Sequence, residues 1–157
     1  QDVIDTNLTG VYHTIRAALP HMRDGKRGGS IVITSSTAGL KGTASLNASG
    51  NAYAAAKRGV VALMQNLANY LAPEWIRVST IHPTGVLSGM TQNDAMNALM
   101  AQAAEGGHNA ISGMENALPL PILQPEDIAN AVAFLVSEEA KFITGTQWPL
   151  DAGFTIR

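Results

Sequence analysis

The chain has 157 residues, of which 46% are hydrophobic and 14% charged, a composition suited to one domain with a buried core. A formal net charge of −2 with no lysine and arginine cluster argues against nucleic acid and anionic membrane as partners and leaves a small molecule as the default ligand. The absence of cysteine removes disulfides, thiolate nucleophiles and cysteine metal sites.

No apolar run approaches the ~20 residues that cross a bilayer, and "QDVIDTNLTG" carries no charged-then-apolar signal pattern. A soluble, cytoplasmic protein is expected. His13, His21, His82 and His108 show no metal-ligand spacing, so they are read as ordinary surface or loop residues and no metal is expected. The sequence opens on Gln1 and at once in a helical pattern, which suggests a missing beginning.

From Val3 to Met22, the positions Ile4, Leu8, Val11, Ile15 and Leu19 lie on one helical stripe. "RDGKRGG" ends the pattern, and "SIVITSS" follows as a continuous β-branched run of the kind buried on both faces of a parallel sheet. Its end delivers Ser35 and Ser36. The loop "TAGLKGTASLNASGN" is irregular by composition until Asn51 or Ser49 caps the next helix. That helix carries Val60, Leu63, Met64, Leu67 and Leu71 on one stripe and stops near Pro73.

"IRVSTIHPTG" predicts a second strand, ended by Pro83 and Gly85, and completes a βαβ unit. Thr91 to Ala104 has a helical pattern, and the glycines and prolines beyond it extend a loop or lid that runs from about residue 90 to residue 121. "QPEDIANAVAFLVSEEAKF" starts a helix with Pro125, Glu126 and Asp127 in its first turn, where the helix dipole favours negative charge. "GTQWPLDAGF" predicts a short last strand, and Pro149 places it at a sheet edge.

Helices alternating with apolar strands predict an α/β fold with a doubly wound parallel sheet, in which ligands bind beyond the carboxyl ends of the strands. Ser36 and the turn "HPTGVLSGM" fall at strand ends, and the intervening helix brings Tyr53 and Lys57 to the same rim. Four residues apart, these two share a helix face. A tyrosine phenol, with an unperturbed pKa of about 10, is a poor base at neutral pH unless a neighbouring ammonium favours the phenolate. The pair is therefore a candidate for moving a proton on or off an alcohol oxygen, with Ser36 as a hydrogen-bond partner of that oxygen. The spacing alone is common by chance; its placement between two strand ends gives it weight.

With these segments, "TNLTGVYHTIRAALPHM", "IVITSSTAG", "YAAAK", "RVSTIHPTGV" and "ITGTQWPLDAGF", nearly the whole chain resembles the short-chain dehydrogenase/reductase family. "SSTAGLKG", the long serine-to-tyrosine loop and "HPTGV" resemble its carveol-dehydrogenase-like branch, associated with mycofactocin. The resemblance implies a Rossmann-like fold and interconversion of a secondary alcohol and a ketone by hydride transfer with NAD, or with NADP. It also implies Tyr53 as acid/base, Ser36 as the group that polarises the substrate oxygen, and Lys57 as the residue that favours the phenolate and binds the nicotinamide ribose. Asn7 matches the asparagine that holds a relay water; the alternative is a helix-kinking polar residue. Pro83, Thr84, Gly85 and Val86 match the segment that faces the nicotinamide, and Ser88 stands where threonine is usual, with Leu87 and Gly89 departing from the pattern around it.

The family's glycine-rich pyrophosphate turn does not occur in these residues, so they resemble the C-terminal half or so of such a domain, residues 1–157 being one partial unit. Alone, such a piece is expected to show little activity and an exposed apolar sheet edge, and a purely structural or oligomerising role is the alternative function. Met90, Met96, Met100 and Met114 suit either a soft lid for an apolar alcohol or ketone or the packing of a helix onto the sheet. A homotetramer is implied by resemblance, through the helices of Asn7 and Tyr53 and through the last helix and strand.

Overall fold

A computed structural model describes residues 1–42, 47–94, 96–98, 101 and 115–157. The N-terminal stripe forms one helical run in three parts: α1 (Asp2–Ile4), a π-helical turn (Asp5–Thr9) and α2 (Gly10–Asp24). Ile15 is buried, and Leu8, Val11 and Leu19 pack against the core, as the spacing predicts. The π turn was not legible in that spacing. At its centre the Asn7 amide donates to the Val3 carbonyl over 3.0 Å, taking the acceptor that its own backbone N–H would use in a regular α-turn.

Strand β1 (Gly29–Thr34), helix α3 (Ala48–Leu71) and strand β2 (Ile76–Pro83) make the expected βαβ unit. Helix α4 (Pro125–Val136) and strand β3 (Gln147–Leu150) complete the described elements that frame the sheet. Strand order is β1-β2-β3, all parallel, with Thr34 opposite Ile81 and Pro83 opposite Leu150. Pro149 lies on the edge strand, where its missing N–H costs no ladder bond.

The core forms where α3 covers the sheet. Val60, Met64 and Leu71 are fully buried against Ile33, Ile76 and Val78, and each such side chain contributes about 1.5–3 kcal/mol by leaving water. Arg23 at the end of α2 grips Glu74, just past α3, through two bonds of 2.7 and 2.6 Å, which fixes the two helix ends side by side.

Three local expectations need correction. Helix α3 starts earlier than Asn51 or Ser49: Asn47 is its cap, accepting from Ser49 N–H and Gly50 N–H at 2.9 and 3.1 Å. Strand β1 is not buried on both faces. It is an edge strand of the described sheet, Ser30 to Val32 are half-buried, and Ile31, Val32 and Ile33 line an open groove of about 740 Å³ together with Val11, Ile15 and Met22. Thr91 to Asn93 form a turn rather than the start of a helix; helical backbone begins at Asp94 and includes residues 96–98 and 101. Residues 95, 99, 100 and 102–104 of that expected helix and half of the expected lid, Met100 and Met114 included, lie outside the described residues.

The chain closes with a turn organised by Asp151. Its carboxylate, buried below β3, accepts from Gly153 N–H at 2.9 Å, Thr155 N–H at 2.9 Å and the Thr155 hydroxyl at 2.6 Å. Burial alone would raise its pKa, but these donors outweigh burial and hold it below the ordinary carboxylate value. Gly153, at φ 81°, needs the left-handed conformation, and a Cβ there would lie 2.6 Å from Ala117. Because the folded value lies below the unfolded one, the stabilisation from Asp151 is complete above about pH 4 and is lost as pH falls through the lower folded value. Urea melts of Asp151→Asn should therefore show a larger loss of stability at pH 7 than near pH 2.5; equal losses at the two pH values would contradict this role.

Candidate active site

The site starts where β1 leaves the sheet. The last ladder bond runs from Ser35 N–H to the Ile81 carbonyl at 2.8 Å, after which Ser36 stays extended (φ −167°, ψ 160°) and a single 3₁₀ turn, Thr37–Gly39, bends the chain back over α3. The Ser36 hydroxyl oxygen caps this turn by accepting from Ala38 N–H at 3.2 Å. Ser35, the neighbour that the motif reading leaves aside, is buried and donates its hydroxyl to the Lys57 carbonyl at 2.8 Å. The strand end and the helix are thereby bolted together.

That close approach has a sequence cause in Gly39. A Cβ at this position would sit 2.8 Å from the Lys57 carbonyl oxygen and 2.8 Å from the Ser35 hydroxyl, so only glycine lets the turn lie on the helix backbone. Likewise Gly59, on the next turn of α3, leaves room for Leu8 of the π turn, whose methyl groups would be 3.1 Å from a Cβ. Asn7 is thus carried on a segment docked against the helix of Tyr53 and Lys57.

Tyr53 and Lys57 come together as the four-residue spacing predicts. The Lys57 ammonium lies 5.4 Å from the centre of the Tyr53 ring and donates to the Thr34 carbonyl at 3.0 Å. Lys57 is 9% exposed, and burial pushes its amine below the ordinary lysine value. Among the described residues no carboxylate forms a salt bridge with it. Lys57, Thr34 and Thr6 of the π turn line one end of the groove beside β1.

The segment after β2 faces the same rim. Thr84 N–H donates to the Leu150 carbonyl at 3.2 Å, and its hydroxyl donates to Asn116 at 3.3 Å. Gly85 and Leu87 bond to both sides of Leu123, with Val86 paired opposite it, so Pro83, Thr84, Gly85 and Val86 form a braced turn. Ser88 is exposed beyond it. Its N–H is held by the Thr91 hydroxyl at 3.1 Å, and that hydroxyl also donates to the Val86 carbonyl at 2.5 Å.

One histidine departs from its expected place. His13 and His21 are exposed on α2, and His108 lies outside the described residues. His82, by contrast, is fully buried near the end of β2, with Nδ1 3.1 Å from the Ser36 carbonyl and Nε2 2.9 Å from the Thr80 hydroxyl. A lone histidine in a β-branched run has no sequence signature to separate it from a loop residue; its position directly before the turn proline was the only available sign.

A family model described as Enoyl-(Acyl carrier protein) reductase matches residues 1–155. An uncharacterized oxidoreductase of Mycobacterium tuberculosis is 50% identical over 155 residues, covering 98% of this chain and 56% of the relative. This chain belongs to the short-chain dehydrogenase/reductase family. The (-)-trans-carveol dehydrogenase of Rhodococcus erythropolis is 47% identical over 161 residues, covering all of this chain and 57% of that enzyme. Among solved structures, carveol dehydrogenase from Mycobacterium avium in complex with NAD superposes with a TM-score of 0.86 at 43% identity, over 98% of this chain and 56% of that one. A short-chain dehydrogenase from Mycobacterium paratuberculosis bound to NAD gives 0.88 at 35% identity, over 98% and 55%. The chain spans little more than half the length of each of these relatives, and its sheet is the corresponding part of the family's Rossmann-like fold.

The Gly39 contact is open to direct test. Gly39→Ala should lower stability by about 1–3 kcal/mol through overpacking against the Lys57 carbonyl, read as a drop in the urea midpoint. An unchanged midpoint would show that turn and helix do not approach as described.

Proposed function

We propose that the protein containing this chain is an NAD-dependent oxidoreductase that interconverts a secondary alcohol and a ketone, with Tyr53 handling the proton. The observation that carries this reading is the Lys57 ammonium, unpaired with any carboxylate among the described residues and set against the Tyr53 ring at the strand end that presents Ser36. An ammonium in that position puts positive charge beside the phenol that is to exchange a proton with the alcohol.

The residues present suit one end of a dinucleotide. Lys57 would hold the nicotinamide ribose and the braced turn Pro83, Thr84, Gly85 and Val86 would face the nicotinamide, with Ser88 or Thr91 as a hydroxyl beyond it. Bound NAD supplies the hydride acceptor when the alcohol is oxidised. In that direction Ser36 donates its hydroxyl proton to the substrate oxygen, Tyr53 removes the proton of the alcohol, and Asn7 holds a water through which the proton leaves. In the reverse direction Tyr53 returns the proton to the ketone oxygen. The family's glycine-rich pyrophosphate turn does not occur in residues 1–157, and a full NAD site would need such a turn from further polypeptide. The half-buried β1 edge and its groove are where such polypeptide would pack.

The substrate class proposed is an apolar alcohol or ketone, terpenoid or alicyclic by likeness to the carveol dehydrogenases, in the mycofactocin-associated branch. Met90, exposed beside the turn, supports an adaptable apolar lid. A cytoplasmic homotetramer is part of the same reading. Its support is two apolar faces, Tyr12 with Tyr70 on α2 and α3, and Phe134, Val136 and Phe142 around α4 and β3, all exposed in the single chain.

In the complete protein, Tyr53→Phe should lower alcohol oxidation by about 10²–10⁴-fold while leaving NAD affinity, measured by fluorescence titration, largely intact. Turnover near the wild-type rate would sink the acid/base role. Lys57→Ala should weaken both NAD affinity and rate, and unchanged values for both would remove it from the mechanism.

A further inference from the structure

The end of β2 carries a buried group that the reaction described above does not use. His82 is 0% exposed, as is Thr80, two residues before it on the same face of the strand. The next residue, Pro83, has no N–H, so the β1–β2 backbone ladder cannot continue through it. Past that point the described tie between the two strand ends is made by the His82 ring, whose Nδ1 lies 3.1 Å from the Ser36 carbonyl oxygen.

The hydrogen-bond roles follow from the partners. A carbonyl oxygen only accepts, so Nδ1 carries a proton and donates to Ser36. Burial holds the imidazole below its ordinary pKa, against the opposing pull of the Ser36 bond and with Arg58 adding to the depression. The ring is therefore neutral at pH 7, and Nε2 accepts from the Thr80 hydroxyl at 2.9 Å. Both nitrogens are satisfied, which fixes the ring plane and the tautomer together.

We propose that His82 is a positioning residue for Ser36: its Nδ1–H holds the Ser36 carbonyl and so sets the serine hydroxyl against the substrate oxygen. The proposal rests on the role given to Ser36 above. The Ser36 carbonyl takes a second bond from Gly39 N–H at 2.9 Å, and the hydroxyl oxygen takes one from Ala38 N–H at 3.2 Å. An oxygen that accepts from Ala38 keeps its own proton to donate. With its backbone anchored from two sides, that hydroxyl has a defined place. Because Pro83 follows His82 directly, the same ring also sets the serine in register with the turn from Pro83 to Val86.

The chemistry distinguishes among replacements. Asparagine places its amide nitrogen near the position of Nδ1 and can still donate to the Ser36 carbonyl, whereas glutamine reaches further, towards Thr80, and leaves that carbonyl with only the Gly39 bond. Leucine supplies neither bond. In the complete protein, His82→Leu and His82→Gln should lower kcat by about 10- to 100-fold, the scale of loss from a misplaced reacting partner. KM for NAD should change little. His82→Asn should recover most of kcat.

The decisive arm is the cycle with Ser36→Ala. If His82 acts through Ser36, His82→Gln on the Ser36→Ala background costs no further rate. Melting temperatures are recorded for every variant, and if His82→Leu fails to fold, the asparagine and glutamine pair carries the comparison. His82→Asn as slow as His82→Gln, or a glutamine loss of the same factor on both backgrounds, would overturn the proposal. A Ser36→Ala rate equal to wild type would instead overturn the serine reading itself, and with it the role of His82.

Discussion

The position of one ammonium organises the carboxyl end of the sheet. Lys57 is nearly buried, its Nζ is held by the Thr34 carbonyl, and no carboxylate neutralises it among the described residues. Removing an ammonium from water is costly unless other groups stabilise it. Here a carbonyl and the face of the Tyr53 ring take part of that role. The Lys57 charge is not neutralised by a carboxylate partner among the described residues.

The local structure around this charge depends on small residues and short bonds rather than on a large core. Gly39 lets the turn after Ser36 rest on the α3 backbone, Ser35 locks the two together, and His82 spans the gap that Pro83 leaves in the ladder. The π turn at Asn7 has the same character. A side-chain amide diverts one carbonyl, the helix rewinds by one residue, and the bulge docks against α3 through Leu8. Two strand ends, one helix and one bulge thus meet at a single rim, as ligand sites of doubly wound sheets do.

How much of this was legible in the sequence depended on which force set each feature. Strands β1, β2 and β3, the faces of α2 and α3 and the start of α4 follow from hydrophobic pattern and turn residues, and these were read correctly, Pro149 at the edge included. The Tyr53 and Lys57 pairing followed from helical spacing. Features set by single polar contacts were missed. Asn47, Ser49 and Asn51 are all cap-type residues in the sequence, and composition does not choose among them. The π turn leaves an ordinary apolar stripe. His82 looked like a loop residue because nothing in a one-dimensional pattern shows that its ring crosses to Ser36. The burial of β1 was overestimated because its β-branched run is suited to a strand with neighbours on both sides, and in the described sheet it has one.

Under the proposed function, Ser36, Tyr53 and Lys57 converge on one substrate oxygen and one ribose. A crystal structure of the complete protein with NAD and a ketone analogue tests this most directly. The analogue's oxygen is predicted within hydrogen-bond distance of both the Ser36 hydroxyl and the Tyr53 phenol, with Lys57 Nζ on the ribose hydroxyls. An oxygen bound away from Tyr53, or a ribose out of reach of Lys57, would contradict it.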